Sequence, residues 1–441
     1  GVSRIRALLF KRMRLLLLVA LCAALPLCSA NRWGAVPQAP ADPILGVATA
    51  FKADPSADKV NLGIGAYRTA EGKPLVLRCV REAEKKICND MSLDKEYLPM
   101  HGLESFLKAT SSVILGKDSS ALKEDRVAVV QTLSGTGALR IAGEFVAKFS
   151  DKPPKVYISD PSWGNHHTIF QKCGMETAKY RYISDKMDLD IEGMLADLKA
   201  APKGSVFVLH TIAHNPTGVD PTPEQWKLIA DVCRERDAIL IFDTAYQGYA
   251  TGDLEKDAWA VRYFAEERGL ELMVTQSYSK NFGLYGERIG ALNIVTKDRE
   301  TAGKVRSQLC AVVRPMYSSP QIHGARIVST VLADAGLTKT WEGELKEMSN
   351  RIVDMRAALV KALAKIECPV PSPKFQDWSH ITSQIGMFAY TGLGEAACDK
   401  LTKEHHIYCT RNGRFSMAGV NPSNVEYIAQ AMKDCIQGSR L

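Results

Sequence analysis

Gln276-Ser277-Tyr278-Ser279-Lys280-Asn281-Phe282-Gly283-Leu284-Tyr285-Gly286-Glu287-Arg288 is the stretch from which the rest of the chain can be read. The apolar run from Leu270 to Tyr278 predicts a buried strand. It opens into a loop where Lys280 follows two serines, with Arg288 eight residues on. A lysine at the mouth of a strand loses its proton readily when desolvated, and the neutral amine forms a Schiff base with an aldehyde. Hydroxyls and a guanidinium beside it suit a phosphate, which arginine grips with two parallel hydrogen bonds. A surface lysine and arginine flanking a strand would explain Ser-x-Ser-Lys alone. The longer run asks for further strand ends that carry chemistry.

Several are present. Val206 to Leu209 predicts a buried strand that leads into Asn215-Pro216-Thr217-Gly218, a segment with strong turn chemistry. Ala238 to Phe242 predicts another, ending in Asp243 with Tyr246 three residues on. A carboxylate at the end of a buried strand needs a cationic partner, because an unpaired one is costly or becomes protonated. Arg126 to Leu133 predicts a strand, followed by a small-residue turn, Ser134-Gly135-Thr136-Gly137, that opens a helix from Ala138 to Phe149. Strand, small turn and helix aim free N–H groups and a helix dipole at a phosphate. The spacing and the Gly-Lys-Ser/Thr ending of a nucleotide P-loop are absent.

Lys155 to Ser159 predicts a strand leading to Trp163 and His166, and Ile289 to Val295 predicts another. Asn61-Leu62-Gly63-Ile64-Gly65-Ala66-Tyr67-Arg68 has two glycines where backbone can approach a ligand closely. Arg314 sits in a predicted proline-bounded loop, 313–320. Ile385 to Phe388 and Ile407 to Phe415 predict strands, the second carrying Arg411 and Arg414. Leu345, Met348, Ile352, Met355, Leu359, Leu363 and Ile366 recur at three- and four-residue intervals, the core face of a helix.

Taken together, these segments resemble the class I aminotransferases that use pyridoxal 5′-phosphate. The resemblance covers essentially all of residues 42–441. It implies an α/β protein of fold type I: a large domain with a mostly parallel sheet (76–347), and a smaller α/β domain from both chain ends (42–75 and 348–441). It implies that Lys280 binds the cofactor as a Schiff base and later moves a proton. By the same resemblance Asp243 keeps the pyridine nitrogen protonated, with His166 behind it. Tyr246 and Asn215 hold the ring oxygen, and Trp163 stacks on the ring. Ser134, Gly135, Thr136, Ser277 and Arg288 hold the phosphate, joined by Tyr97 from a neighbouring subunit. Gly65, in the glycine stretch over the substrate, and Trp163 and Asn215 meet the amino acid. Arg414 clamps its α-carboxylate and Arg314, from the partner, its distal carboxylate. The implied reaction is reversible amino transfer between L-aspartate and 2-oxoglutarate by a homodimer with shared sites. The family's usual Ala-Cys before Ala213 is replaced here by Thr211-Ile212. Two rival readings are an aromatic or broad-specificity aminotransferase and a non-catalytic binding relative.

Composition sets bounds of its own. The 441 residues, with 46% hydrophobic and 24% charged, are ordinary for a globular protein of about two domains. The net charge of +7 is concentrated: Arg4, Arg6, Lys11, Arg12, Arg14 and Arg32 supply six positives before the first acid, Asp42. That leaves 7 − 6 = +1 on the body, and no basic patch that calls for nucleic acid. Nine of the 11 cysteines lie in the body without C-x-x-C spacing, which argues against a disulfide framework or zinc and for a reducing compartment. His166-His167 and His405-His406 are adjacent and predict no metal site. Residues 1–30, basic and then apolar from Leu15 to Leu27, predict a targeting leader too short in its apolar core for a comfortable membrane span. A mitochondrial matrix address is expected, with a secretory or other organelle route, or the cytoplasm, as alternatives. Residues 31–41 predict an extended arm.

Overall fold

A computed structural model describes residues 33–39 and 45–437, so the predicted leader lies outside the described residues. Residues 33–39 form a turn, closed by the Val36 N–H on the Trp33 carbonyl, and continue as exposed irregular chain.

The rest is built on seven strands: β1 Val127–Leu133, β2 Val156–Asp160, β3 Thr177–Arg181, β4 Val206–His210, β5 Ile239–Thr244, β6 Leu272–Ser277 and β7 Ile289–Val295. Their order is β1-β7-β6-β5-β4-β2-β3, and every strand except β7 runs in the same sense. Helices cover both faces, so β4, β6 and β7 are buried at every residue, the polar Thr275, Gln276 and Asn293 included. Phe207, Leu209 and Phe242 face one core with Trp226 and Phe264, while Val206, Val208 and Ile241 face the other with Ile158 and Ala142.

The parallel strands finish along one edge. His210 pairs with Asp243, and Thr244 with Gln276. The antiparallel β7 begins at that edge, with Ile289 opposite Leu133 and Gly290 opposite Ser277. Arg288 is therefore delivered beside Ser134 and Ser277 because β7 runs backwards.

Four local expectations are corrected. Ser134–Gly137 is the first turn of helix α1, Ser134–Phe149, and not a turn preceding it. Arg314 and Pro315 lie in the last turn of helix α2, Arg299–Tyr317, where a loop was expected. Proline forfeits one backbone hydrogen bond there, close to where the helix ends anyway, at Ser318 with φ 66°. Ile385 to Met387 precedes a strand that spans only Phe388–Tyr390, and a turn at Thr410–Gly413 splits the predicted run 407–415. The apolar stripe does lie on one helix, α3, Ala335–Lys365. The two chain ends meet in short pairings: Val60–Asn61 with Ile407–Tyr408, and Phe388–Tyr390 antiparallel with Arg414–Ser416. Among the described residues no helix is long and apolar enough to cross a membrane.

Gly290 packs closely between its sheet neighbour and the start of α1. A Cβ there would sit 2.3 Å from the Gln276 carbonyl oxygen and 2.8 Å from Ser134 Cα, all backbone. Gly290→Ala should cost about 1–3 kcal/mol or more, read as a lower urea midpoint with an unchanged slope. A wild-type midpoint would show that strand and helix can part freely.

Candidate active site

The edge where the strands finish carries a cavity. Its charged lining consists of Asp243, Lys280, Arg288 and Arg414. Gly65, Trp163, Asn215 and Tyr246 line it too, as do Ser134, Gly135, Thr136 and Ser277. His166 lies behind them, fully buried. Two expected residues are elsewhere in this chain. Tyr97 is 86% exposed on irregular chain, and Arg314 is exposed on α2 with its Nη1 donating to Ser318 Oγ. Ser279, His210 and Phe388 also line the cavity and had not been assigned to it. Ser279 stood next to Lys280 in the quoted stretch. His210 closes β4 just as Asp243 ends β5's buried run. Phe388 gave no signal beyond being apolar.

Lys280 follows β6 in a turn, its Nζ 5.2 Å from the centre of the Tyr246 ring. Burial lowers its pKa to about 8. The Asp243 charge works against that, and Arg288 and Arg414 push the same way as burial.

Asp243 is held from behind. Burial opposes its charge, yet the His166 hydrogen bond and neighbouring positive charges outweigh this and hold its carboxyl below the ordinary value. The bonds that reach it have a direction. The Asn215 backbone N–H donates to His210 Nδ1 (3.2 Å), so neutral His210 carries its proton on Nε2, which donates to Ser162 Oγ (3.3 Å). The charged Asp243 carboxylate can only accept, so His166 Nε2–H donates to its Oδ2 (2.9 Å), and in the neutral ring Nδ1 accepts from the Ser162 hydroxyl (3.0 Å). Burial keeps His210 and His214 neutral by lowering both well below the usual imidazole value.

At the other end, hydroxyls cluster. Ser134 Oγ lies 2.8 Å from Ser277 Oγ and 2.9 Å from Ser279 Oγ, and Arg288 Nη1 donates to Ser279 Oγ at 3.3 Å. The α1 N-terminus points here with no acidic residue in its first turn and no side-chain cap. Free N–H groups, three hydroxyls and a guanidinium suit a phosphate. On the opposite side, Arg414 is 4% exposed and stacks 4.1 Å over the Phe388 ring. Its Nη2 donates to the Gly63 carbonyl and its Nη1 to Asn215 Oδ1, while the buried Nε has no partner. A buried guanidinium that lines a cavity and keeps an unpaired N–H fits a carboxylate. The glycine at 65 leaves room there, since a Cβ would touch the Phe388 ring at 3.5 Å.

The family model for aminotransferase class I and II matches residues 57–432. The chain belongs to this family. It is 50% identical over 403 residues to the mitochondrial aspartate aminotransferase of Dictyostelium discoideum, covering 91% of this chain and 92% of that one. Aspartate aminotransferase from Saccharomyces cerevisiae cytoplasm superposes with a TM-score of 0.89 at 43% identity, over 93% of this chain and 100% of that one. The aromatic-amino-acid aminotransferase of Burkholderia pseudomallei, covalently bound to pyridoxal phosphate in its structure, gives 0.87 at 41% identity over 92% and 99%.

In this aminotransferase, the Lys280 amine of the cofactor-free protein should titrate near pH 8, well below an ordinary lysine. Asp243→Asn removes the charge that raises that value, so the midpoint should fall further. Competitive acylation across pH, read on the Lys280 peptide by mass spectrometry, measures both. Equal midpoints would show that the Asp243 charge does not reach the amine.

Proposed function

We propose that this aminotransferase reversibly moves the amino group of L-aspartate to 2-oxoglutarate, giving oxaloacetate and L-glutamate, with pyridoxal 5′-phosphate held on Lys280. The observation that carries this reading is one cavity with three cations, Lys280, Arg288 and Arg414, against the single carboxylate Asp243. Such a lining favours ligands that bring several negative charges, as a phosphate and a dicarboxylic acid together do. The names of the relatives support aspartate as the substrate.

The bound cofactor supplies an aldehyde for amine exchange and a ring that takes up the electron pair released at the substrate's Cα. The chain does the rest. Lys280 Nζ would give up its place on the cofactor's aldehyde carbon to the substrate's amine, then take the proton from Cα and deliver it to that carbon, a task suited by an amine poised near neutrality. Asp243, kept charged through His166, holds a proton on the ring nitrogen. Tyr246 and Asn215 hydrogen-bond the ring oxygen, and Trp163 covers a ring face. Ser134, Gly135, Thr136, Ser277 and Arg288 hold the phosphate, and Arg414 the α-carboxylate beside Gly65.

Tyr97 and Arg314, remote from the cavity of their own chain, fit a homodimer in which each serves the other subunit's site. We assign residues 42–75 and 348–441 to a smaller domain that closes on the large one, 76–347. The leader, with a mitochondrial relative, supports import into mitochondria. The cytoplasmic yeast relative keeps the cytoplasm open, and the leader's signal-like order a secretory route.

The test is a coupled assay of purified holoenzyme with aspartate, tyrosine, phenylalanine and alanine as amino donors. Aspartate should be preferred. A preference for tyrosine or phenylalanine would favour the aromatic reading, for which the 41%-identical Burkholderia enzyme is the motive. A purified protein that takes up no cofactor would favour a binding role. Arg314→Asp should lower activity on aspartate on the order of a hundredfold or more and shift the remainder towards basic amino acids. Retention of the aspartate-over-alanine preference would mean that another group holds the distal carboxylate.

Shared sites can be tested by complementation. Lys280→Ala and Arg314→Ala chains are each inactive, but refolded together they form mixed dimers in which one site takes both lesions and the other neither. About half of random dimers are mixed, so about a quarter of wild-type activity should return. No recovery after proven chain exchange would place both residues in the same chain's site.

A further inference from the structure

Arg356 is a guanidinium buried in α3, 2% exposed, and no ion pair joins it among the described residues. Burial of this kind lowers its pKa from the usual arginine range to about 9. A buried cation without an anion is costly, so what it does hold matters. Its Nη1 donates to the Ile381 carbonyl and its Nη2 to the Gly386 carbonyl, both at 2.9 Å, and Nη2 also donates to the Phe388 carbonyl. Three peptide oxygens of one short segment therefore converge on a single side chain.

That segment touches both halves of the cavity. The Ile385 N–H donates to the Gly218 carbonyl at 2.7 Å, and Gly386, at φ 78°, lies against Ala213, where a Cβ would meet the Ala213 Cβ at 2.3 Å. These contacts brace the turn that carries Asn215. Phe388 places its ring under the Arg414 guanidinium, and Tyr390 pairs with Arg414 across the short sheet. Phe388 also meets the Tyr246 ring edge-on at 6.0 Å.

We propose that Arg356 is a positioning residue: by gathering the carbonyls of 381–388 it fixes the Phe388 ring, and through it Arg414, in the geometry that receives the substrate's α-carboxylate. This rests on the reading of Arg414 as the α-carboxylate clamp. Arginine suits the place because its planar fork reaches several fixed oxygens at once, which a single ammonium cannot. Without it the carbonyls face one another with no donor, and the segment must turn to find water.

The α-carboxylate is common to every amino acid substrate, so the loss should not discriminate among them. In Arg356→Met holoenzyme, KM for aspartate and for alanine should rise by about the same factor, on the order of tenfold, with kcat changed much less. Succinate binding, measured by titration calorimetry on the holoenzyme, should weaken by a similar factor. A wild-type succinate Kd and wild-type KM in a variant that only melts earlier would make Arg356 a packing residue and overturn the proposal. If the methionine variant does not fold, Arg356→Lys decides: a Kd raised at least about threefold supports the proposal, and an unchanged Kd overturns it. Arg414→Ala separates the two levels. If it leaves succinate Kd untouched, the clamp reading itself fails. If it weakens binding while both Arg356 variants bind normally, only the positioning role fails.

Discussion

The structure depends on keeping one carboxylate charged in a place that resists charge. Among the described residues Asp243 is the only acid lining the cavity, opposite three cations. Were it neutral, Lys280 would lose the one interaction that retains its proton against burial and two arginines. Were it charged without support, its own desolvation would be prohibitive. Both are resolved from outside the cavity, by the donor on His166. The sheet explains how so many groups converge. Parallel strands put His210, Asp243 and Ser277 on one edge, and the single antiparallel strand brings Arg288 back to it.

Much of this was legible because each key side chain closes an apolar run. Asn215 and Lys280 follow, and Asp243 closes, segments that open as apolar runs, so sequence alone marked the edge. What was hidden depends on contacts distant in sequence. Arg288 could be flagged by its nearness to Lys280, but its delivery follows from the sense of β7, which no local pattern encodes. His210 looks like any strand-end histidine. Its neutrality comes from burial beside His214, itself stacked on Tyr182 at 3.8 Å. Phe388 and Arg356 carried only apolar and helical signals; their roles arise where α3, the 381–388 segment and the Asn215 turn meet.

Two misread segments show where local rules yield. Ser134-Gly135-Thr136-Gly137 has turn composition, yet it forms the first helical turn, because the sheet edge needs a helix start within reach of Ser277. Small side chains serve that approach. A Cβ on Gly135 would lie 3.3 Å from the Ser277 Cβ, and Ser134 accepts a left-handed φ of 59°. Pro315 signalled a break, and the helix does stop within three residues, but Arg314 is presented from a helical turn and not from a free loop. A rigid turn fixes where its guanidinium points, which a side chain serving a second subunit's site would require.

The direction of the hydrogen bonds behind Asp243 gives the last constraint. A backbone N–H can only donate, so Asn215 commits neutral His210 to one tautomer, and a charged carboxylate can only accept, so Asp243 commits His166 Nε2 to donate. The Ser162 hydroxyl joins the two rings, accepting from His210 Nε2–H and meeting His166 Nδ1 at 3.0 Å. Reversing the tautomer of His166 would aim a nitrogen lone pair at Asp243 Oδ2, acceptor against acceptor, and remove the support the carboxylate needs. The turn that presents the Asn215 side chain to the cavity thus also holds, through its backbone, one end of the polar chain that runs behind Asp243. Asn215 Oδ1 in turn receives Arg414 Nη1. Arg414, the turn and Asp243 are therefore one connected polar network, so a displacement of the turn is felt at both charged groups.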